Sequence, residues 1–461
     1  MKLRIAALLV GVCMLLTSCM SLAQGTDSLM RPPKLSVEQQ KIYAALSASV
    51  GDSIVLKYPG QGEHRSAFVM YDIDNDGEEE IIVFYASSQG GDVRMSILEK
   101  QGEDWFSVYD SLGLGPEIDS ISFRHITKKD QVNVVVSYEV LSIQQKILAV
   151  YTYKDKQLIE DFVCDYTSSL IQDFDGDGLD ELFLLYNAEL VVAKAMYVDT
   201  VYTYGPPTVM SEVELSTSIK QYVQIIAEPE YDSPDTVAID AQDKPSSYIL
   251  YIDGVTAVKG NHTTELVRLQ NKSLSNLLVN DDGDRNINWR SVSLLTQDRN
   301  NDGVMDVPAG VAIPDWPTDS KESMITLIEW HNFIDDAYLP TGQTLVSRSF
   351  GFLIDYPARW RKNIAVKQSA DGYEWRFYHY VEPKKNAKEN DKTSTIGDEL
   401  LRIRVYNNNN FFDEYSSEGY RELGTCDDFT YYAYIPETEG KNELVITYDE
   451  LTTLFQIDKT V

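Results

Sequence analysis

Five histidines and four cysteines in 461 residues leave little material for a thiolate or imidazole metal centre. No cysteines stand at zinc-site or redox spacing. Cys164 and Cys426 are far apart in sequence, so no disulfide between them is expected. His64, His125, His262, His331 and His379 are isolated, and each reads as a surface or structural residue. Catalytic signatures are missing too: there is no HExxH, GxSxG, P-loop or GxGxxG. Gly113-Leu114-Gly115 has no third glycine and runs into Pro116, which makes it a turn. Basic residues are scarce, 40 Lys and Arg against 72 Asp and Glu, for a net charge of -32. That balance excludes a protein that reads nucleic-acid phosphates by charge. Long apolar runs are also missing after residue 16, while 43% hydrophobic and 24% charged residues mark a globular chain.

What is present begins at the N-terminus. Lys2 and Arg4 precede an apolar run over residues 5–16, too short to span a bilayer comfortably. Leu16-Thr17-Ser18-Cys19 follows and resembles the lipobox of bacterial lipoproteins. The resemblance implies a signal peptide over residues 1–18, lipidation of Cys19, and a membrane anchor on the extracytoplasmic face of the cell membrane or outer membrane. Several acyl chains on one residue hold firmly, unlike a single chain. An ordinary signal peptide that happens to contain Cys19 is the other reading. Residues 19–35, polar with a proline pair, read as a tether.

Ser36 as a cap and the spacing of Val37, Ile42, Ala45 and Leu46 predict a short helix up to Val50. Short β-branched and aromatic runs then recur between Asp, Asn and Gly, at 67–71, 81–85, 132–138, 146–153, 182–186 and 248–252. Their length and spacing predict an all-β architecture over residues 36–345. Residues 321–338 fit either a last strand or a helix. Residues 384–395 (KKNAKENDKTST) read as a polar loop.

The strongest signal is a nine-residue acidic pattern that occurs three times. Residues 72–80 (DIDNDGEEE) and 173–181 (DFDGDGLDE) follow Asp-x-Asp-x-Asp-Gly-x-x-Glu, and residues 298–306 (DRNNDGVMD) are a close variant. Calcium takes six to eight hard oxygen ligands. Side chains at positions 1, 3 and 5 of a tight turn converge, glycine at position 6 permits the reversal, and a carboxylate at position 9 closes the shell. The expected Ca2+ ligands are Asp72, Asp74, Asp76 and Glu80; Asp173, Asp175, Asp177 and Glu181; and Asp298, Asn300, Asp302 and Asp306. The flanks of the first two loops are strand-like, not helical, and the third loop's flanks are weaker. Asp281-Asp282-Gly283-Asp284 lacks the spacing and reads as a turn.

This strand–loop–strand arrangement resembles the calcium loops of FG-GAP/VCBS-type repeats of integrin-like β-propellers. The resemblance implies a mainly β fold, a propeller of about five to seven blades. The first two loops begin roughly 100 residues apart and the third roughly 125 further on, against roughly 40–50 residues per blade. Loop-less units would therefore fill 121–161 and 219–270, the latter with an insertion at 228–244.

From Ser349 an α+β pattern begins, with SFGFLIDYP followed by Trp360 and strand-like segments at 373–380, 400–406, 430–434, 443–448 and 453–457. It loosely resembles PsbP/DcrB-like domains, implying a smaller C-terminal α+β domain over 346–461. Trp360, Trp375, Tyr431, Tyr432 and Tyr434 read as core. The function expected is a non-catalytic, lipid-anchored, calcium-braced surface protein whose loops bind a protein or glycan partner. An extracellular polysaccharide-acting hydrolase with structural calcium is the alternative; it would need two carboxylates about 5–10 Å apart.

Overall fold

The computed structural model describes residues 35–141, 145–188, 191–201, 205–231, 244–258, 261–278, 288–314, 325–381, 395–408, 419–437 and 442–458. The signal segment, Cys19, the tether up to residue 34, the 281–284 turn, residues 232–243 of the insertion and nearly all of the 384–395 loop lie outside the described residues. The chain is mainly β, and its contacts divide it into two compact units. The first runs to Ser122 and includes Tyr153–Leu158; the second holds Phe123–Thr152 and everything from Ile159.

Helix α1 (Val37–Val50) begins as the sequence predicts. The Gln39 N–H donates to Ser36 Oγ at 3.1 Å and the Ser36 N–H donates to Gln39 Oε1 at 3.0 Å, a reciprocal cap. Its buried face is Ile42 and Leu46, while Val37 is exposed. That face packs on Phe68, Ile81, Val83, Tyr85, Leu98 and Trp105. The sheet beneath comprises β1 (Ile54–Leu56), β2 (Phe68–Tyr71), β3 (Glu80–Ser87), β4 (Arg94–Gln101) and β5 (Asp104–Leu112), with β1 and β2 both paired to β3.

Three further sheets are four-stranded antiparallel meanders in sequence order. They are β6 (Glu117–Arg124) to β9 (Gln157–Tyr166) through β7 (Asn133–Glu139) and β8 (Lys146–Lys154); β10 (Ser168–Gln172) to β13 (Pro207–Glu214) through β11 (Glu181–Ala188) and β12 (Val192–Thr200); and β14 (Ile219–Glu230) to β17 (Ser273–Asn276) through β15 (Ser247–Thr256) and β16 (His262–Gln270). This is the repeat from which β-propellers are built. The second strands read as nearly unbroken apolar runs because both faces are covered, as in β3 and β11.

Within the second unit, successive sheets stack face to face. Val135, Leu148 and Val150 pack on Leu182, Leu184, Met196 and Val198. Phe183, Leu185 and Tyr197 pack on Leu250, Ile252, Val267 and Leu269. Ile249, Tyr251 and Leu266 then pack on Val307 and Phe333.

The next sheet is β18 (Val307–Val311), β19 (Thr326–Ile334), β20 (Ala337–Ser347), β21 (Phe352–Tyr356) and β27 (Phe455–Ile457). Residues 325–338 are thus a strand followed by a tight turn at Asp335-Asp336. The last sheet orders β22 (Ile364–Gln368), β23 (Glu374–Val381), β24 (Thr395–Asn407), β26 (Phe429–Tyr434) and β25 (Arg421–Thr425). Trp360, Trp375 and Tyr431 are core, as expected, with Phe352 and Phe377. Tyr432 and Tyr434 are half-buried.

Two expected strands are corrected. Residues 443–448 form no strand, and helix α2 (Tyr448–Leu454) occupies most of the span from there to β27. The cause is local: Thr447 caps the Glu450 N–H, and Asp449 and Glu450 fill the first turn. The 453–457 strand shrinks to Phe455–Ile457 for the same reason. Cys164 and Cys426 are not joined to each other, as expected; Cys426 Sγ lies 3.5 Å from the Tyr431 hydroxyl, and burial pushes the Cys164 thiol up to about 12. Among the described residues no helix is long and apolar enough to cross a membrane.

Candidate metal centre

The three acidic loops fold identically. In the first, the N–H groups of Asp76 and Gly77 donate to the two oxygens of Asp72 at 3.1 and 3.0 Å. The Asp76 N–H also donates to Asp74 Oδ1, and the Glu78 N–H to Asp76 Oδ1. The Ile73 N–H donates to Glu80 Oε2 at 2.9 Å. The second loop repeats every bond, from Asp177 and Gly178 to Asp173, Asp177 to Asp175, Leu179 to Asp177 and Phe174 to Glu181. The third does so with Asp302, Gly303, Val304 and Arg299 as donors to Asp298, Asn300, Asp302 and Asp306.

Position 6 needs glycine because its φ is 92° at Gly77, 90° at Gly178 and 86° at Gly303. Position 4 is also left-handed, at Asn75, Gly176 and Asn301, residue types that tolerate it. The residue before each loop pairs with position 9: Tyr71 with Glu80, Gln172 with Glu181 and Gln297 with Asp306. The first two loops therefore sit on hairpins. The third is closed by an isolated bridge, which is why its flanks read weakly in sequence.

The loops differ in focus. Oxygens of Asp173, Asp175, Asp177 and Glu181 lie within 4.8 Å of one another, and so do those of Asp72, Asp74 and Glu80. These are the two converging acidic groups among the described residues. Asp76 belongs to the same turn as the second of them. At the third loop the Asn300 amide donates to Asp302 Oδ2 at 2.7 Å, and Thr341 Oγ1 donates to Asp306 Oδ1 at 2.8 Å. Asp298, Asn300, Asp302 and Asp306 share the turn without that convergence of carboxylates.

In the two converging loops the donor set is carboxylate oxygen, the chemistry of a hard cation, so these residues fit calcium. Burial, with the charges of Asp72, Asp74 and Asp76 adding to it, pushes Glu80 up to about 7. Burial likewise pushes Glu181 up to about 8, helped by Asp175, Asp199 and Asp173. Asp74 and Asp175 are also raised, by burial and then by Asp76 and Asp177.

These shifts carry a sign. Without a cation, the unfolded chain releases the two glutamate protons at lower pH than the folded one, so folded stability falls as pH rises from about 4.5 to about 8. Calcium demands the ionised form and releases those protons on binding. The calcium-free protein is expected to melt higher at pH 5 than at pH 8. Calcium binding at pH 7 is expected to release protons, measured by calorimetry in two buffers of different ionisation heat.

The structure adds residues that sequence reasoning missed. Glu99 on β4 and Asp199 on β12 stand directly opposite position 9 across their hairpins, one residue beyond the Ile81–Leu98 and Leu182–Val198 pairs. Each adds a carboxylate near its loop. Pairing register, not local spacing, places them.

The β6–β7 turn keeps one element of this loop, the bond between positions 2 and 9, without the left-handed residues or the ligand acids. Asn133 holds position 9, and its Oδ1 accepts from the Ile126 and Thr127 N–H groups at 3.0 Å. His125, Thr127 and Lys129 stand at positions 1, 3 and 5. The Asn133 amide donates to Thr152, which donates to Asp161, so a side-chain hydrogen-bond network stands where the acidic loops converge their carboxylates. The offset between Ile126 and Asn133, the same as between Ile73 and Glu80, was the available signal.

No known protein family matches the chain, and neither does any curated protein. Among solved structures, it is similar to Sqt1 of Saccharomyces cerevisiae at 8% identity and a TM-score of 0.28, covering 78% of this chain and 93% of that one. It is similar to the exotype rhamnogalacturonan lyase YesX at 12% identity and a TM-score of 0.26, covering 73% of this chain and 61% of the lyase. It is also similar to Sqt1 of Chaetomium thermophilum, bound there to the N-terminus of a ribosomal protein, at 10% identity and a TM-score of 0.27, covering 69% of this chain and 80% of that one. Likeness this low carries no argument about what this chain binds or does.

Proposed function

We propose that this chain is a non-catalytic, calcium-braced β-propeller protein of the FG-GAP/VCBS type, anchored outside the cell through Cys19, whose loops bind a protein or glycan partner. The observation that supports the reading best is the second acidic loop, where four carboxylates from one nine-residue turn share a focus within 4.8 Å. Apo, that arrangement sets like charges against one another at a hairpin. A divalent ion removes the repulsion and fixes β10 to β11. The same holds at the first loop for β2 and β3. Calcium is therefore structural: it stiffens the connection between the first and second strands of a blade, and the propeller presents the other loops. The lipobox supports the anchor, and the acidic surface suits a compartment where calcium is plentiful.

The test is stability with and without calcium. Asp76→Ala and Asp177→Ala each remove one position-5 ligand. Each is expected to abolish most of the calcium-induced gain in melting temperature of its own unit, while changing the chelated protein little. Equal calcium response in wild type and both variants would exclude these loops as the sites.

A further inference from the structure

Two lysines occupy one structural position. Asp155-Lys156 joins β8 to β9, and Asn271-Lys272 joins β16 to β17. Both pairs are left-handed, with φ of 51° and 61° in the first turn and 50° and 61° in the second. Such two-residue turns match the twist of their strands. Each lysine then meets the carboxylate that stands opposite position 9 of an acidic loop: Lys156 pairs with Glu99, and Lys272 with Asp199.

Their reach differs. Lys272 Nζ also lies 3.7 Å from Asp175 Oδ2, inside the second loop. Among the described residues, the ion pair of Lys156 is with Glu99 and not with the first loop. Asp175 Oδ1 already accepts from the Asp177 N–H, so Oδ2 is the oxygen open to a cation. Lys244 adds to the crowding: its Nζ donates to the Asp175 carbonyl at 3.2 Å and its stem lies over Gly176. The Lys129 side chain lies against Gly178. In a chain of net charge -32, one acidic loop is thus surrounded by three ammonium groups.

We propose that Lys272 is a tethered counter-ion of the second loop, which holds its calcium affinity below that of the first loop and leaves Asp175 when the ion binds. The inference rests on the calcium reading above. The ammonium offsets part of the carboxylate charge before any ion arrives, so less of the loop's folding depends on the metal. A divalent ion on Asp175 Oδ2 would stand a few ångströms from the ammonium, closer than the screening length of physiological salt, and the two repel. The loop with the better-converged ligands is therefore the weaker site.

The test is calorimetric calcium titration of the full chain. Wild type is expected to show two classes of site, and Lys272→Met to strengthen the weaker class about tenfold. Adding Asp177→Asn to Lys272→Met should abolish that class, which assigns it to the second loop. Lys272→Arg keeps the charge and should keep wild-type affinity, and Lys156→Met should move neither class by more than about threefold. If Lys272→Met is too unstable in chelator to titrate, its calcium-induced rise in melting temperature replaces the affinity: a rise larger than that of Lys272→Arg supports the proposal, and an equal or smaller one overturns it. Wild-type calcium binding with unchanged or weakened affinity in Lys272→Met, or an equal gain in Lys156→Met, overturns the counter-ion alone. No calcium uptake by wild type overturns the calcium reading and this proposal with it.

Discussion

Chelation of calcium is expected to lower the melting temperature of the first unit by about 5–10 °C, and that of the longer second unit, with the weaker site, by less. An ion held at a hundred times its dissociation constant stabilises the folded state by about 2.7 kcal/mol. A unit the size of the first loses at least about 2–4 °C per kcal/mol, and the second, more than twice as long, loses less. One converged loop lies in each unit, Asp72–Asp74–Glu80 in the first and Asp173–Asp175–Asp177–Glu181 in the second. Both transitions should therefore move, and both should return when calcium is restored. Magnesium should restore less, because it demands near-octahedral geometry and keeps its waters. Scanning calorimetry with chelator and with millimolar calcium decides the matter, and a shift below about 1 °C in both units would contradict the account.

The second large effect is expected away from the loops. Arg290 and Asp253 form a fully buried ion pair, 2.9 Å from Nη2 to Oδ1. Arg290 also donates to the carbonyls of Leu294, Asn288 and Pro308 and to Thr264 Oγ1. Asp253 accepts from the Thr296 N–H and hydroxyl and from the Gln224 amide. The pair ties β15 and β16 to the irregular segment that leads into the third acidic loop and to β18. Arg290→Met strands a buried carboxylate and is expected to cost about 3–5 kcal/mol. Replacing both, Asp253→Leu with Arg290→Met, should cost less than the sum of the singles, because neither charge is then left alone. Urea unfolding of the four proteins measures this, and additive losses would show that the two side chains act independently.

Much of this was legible in the sequence where the cause is local. The acidic loops were, because ligand spacing, glycine and backbone turn are fixed within nine residues. Helix α1 was, because its cap and its first turn stand side by side. The third loop's weak flanks were legible too, and the isolated Gln297–Asp306 bridge explains them. What was missed depends on register. Glu99 and Asp199 are defined only once β3 meets β4 and β11 meets β12. Lys272 reaches Asp175 only through the stacking of successive sheets, and Asp253 meets Arg290 across 37 positions of chain. The β6–β7 turn was hidden because His125, Thr127 and Lys129 stand where the other loops have ligands, and only the Asn133 bond to the Ile126 N–H remains. Residues 443–448 misled because the apolar run Leu444-Val445-Ile446 was outweighed by the cap at Thr447.

The central claim is tested most directly by diffraction from crystals grown in calcium, with anomalous differences recorded at long wavelength. The account predicts a peak at the focus of Asp72, Asp74 and Glu80, within reach of Asp76 in the same turn, and another at that of Asp173, Asp175, Asp177 and Glu181, each with oxygens at about 2.3–2.6 Å. Ordered loops with no peak at either focus would contradict it.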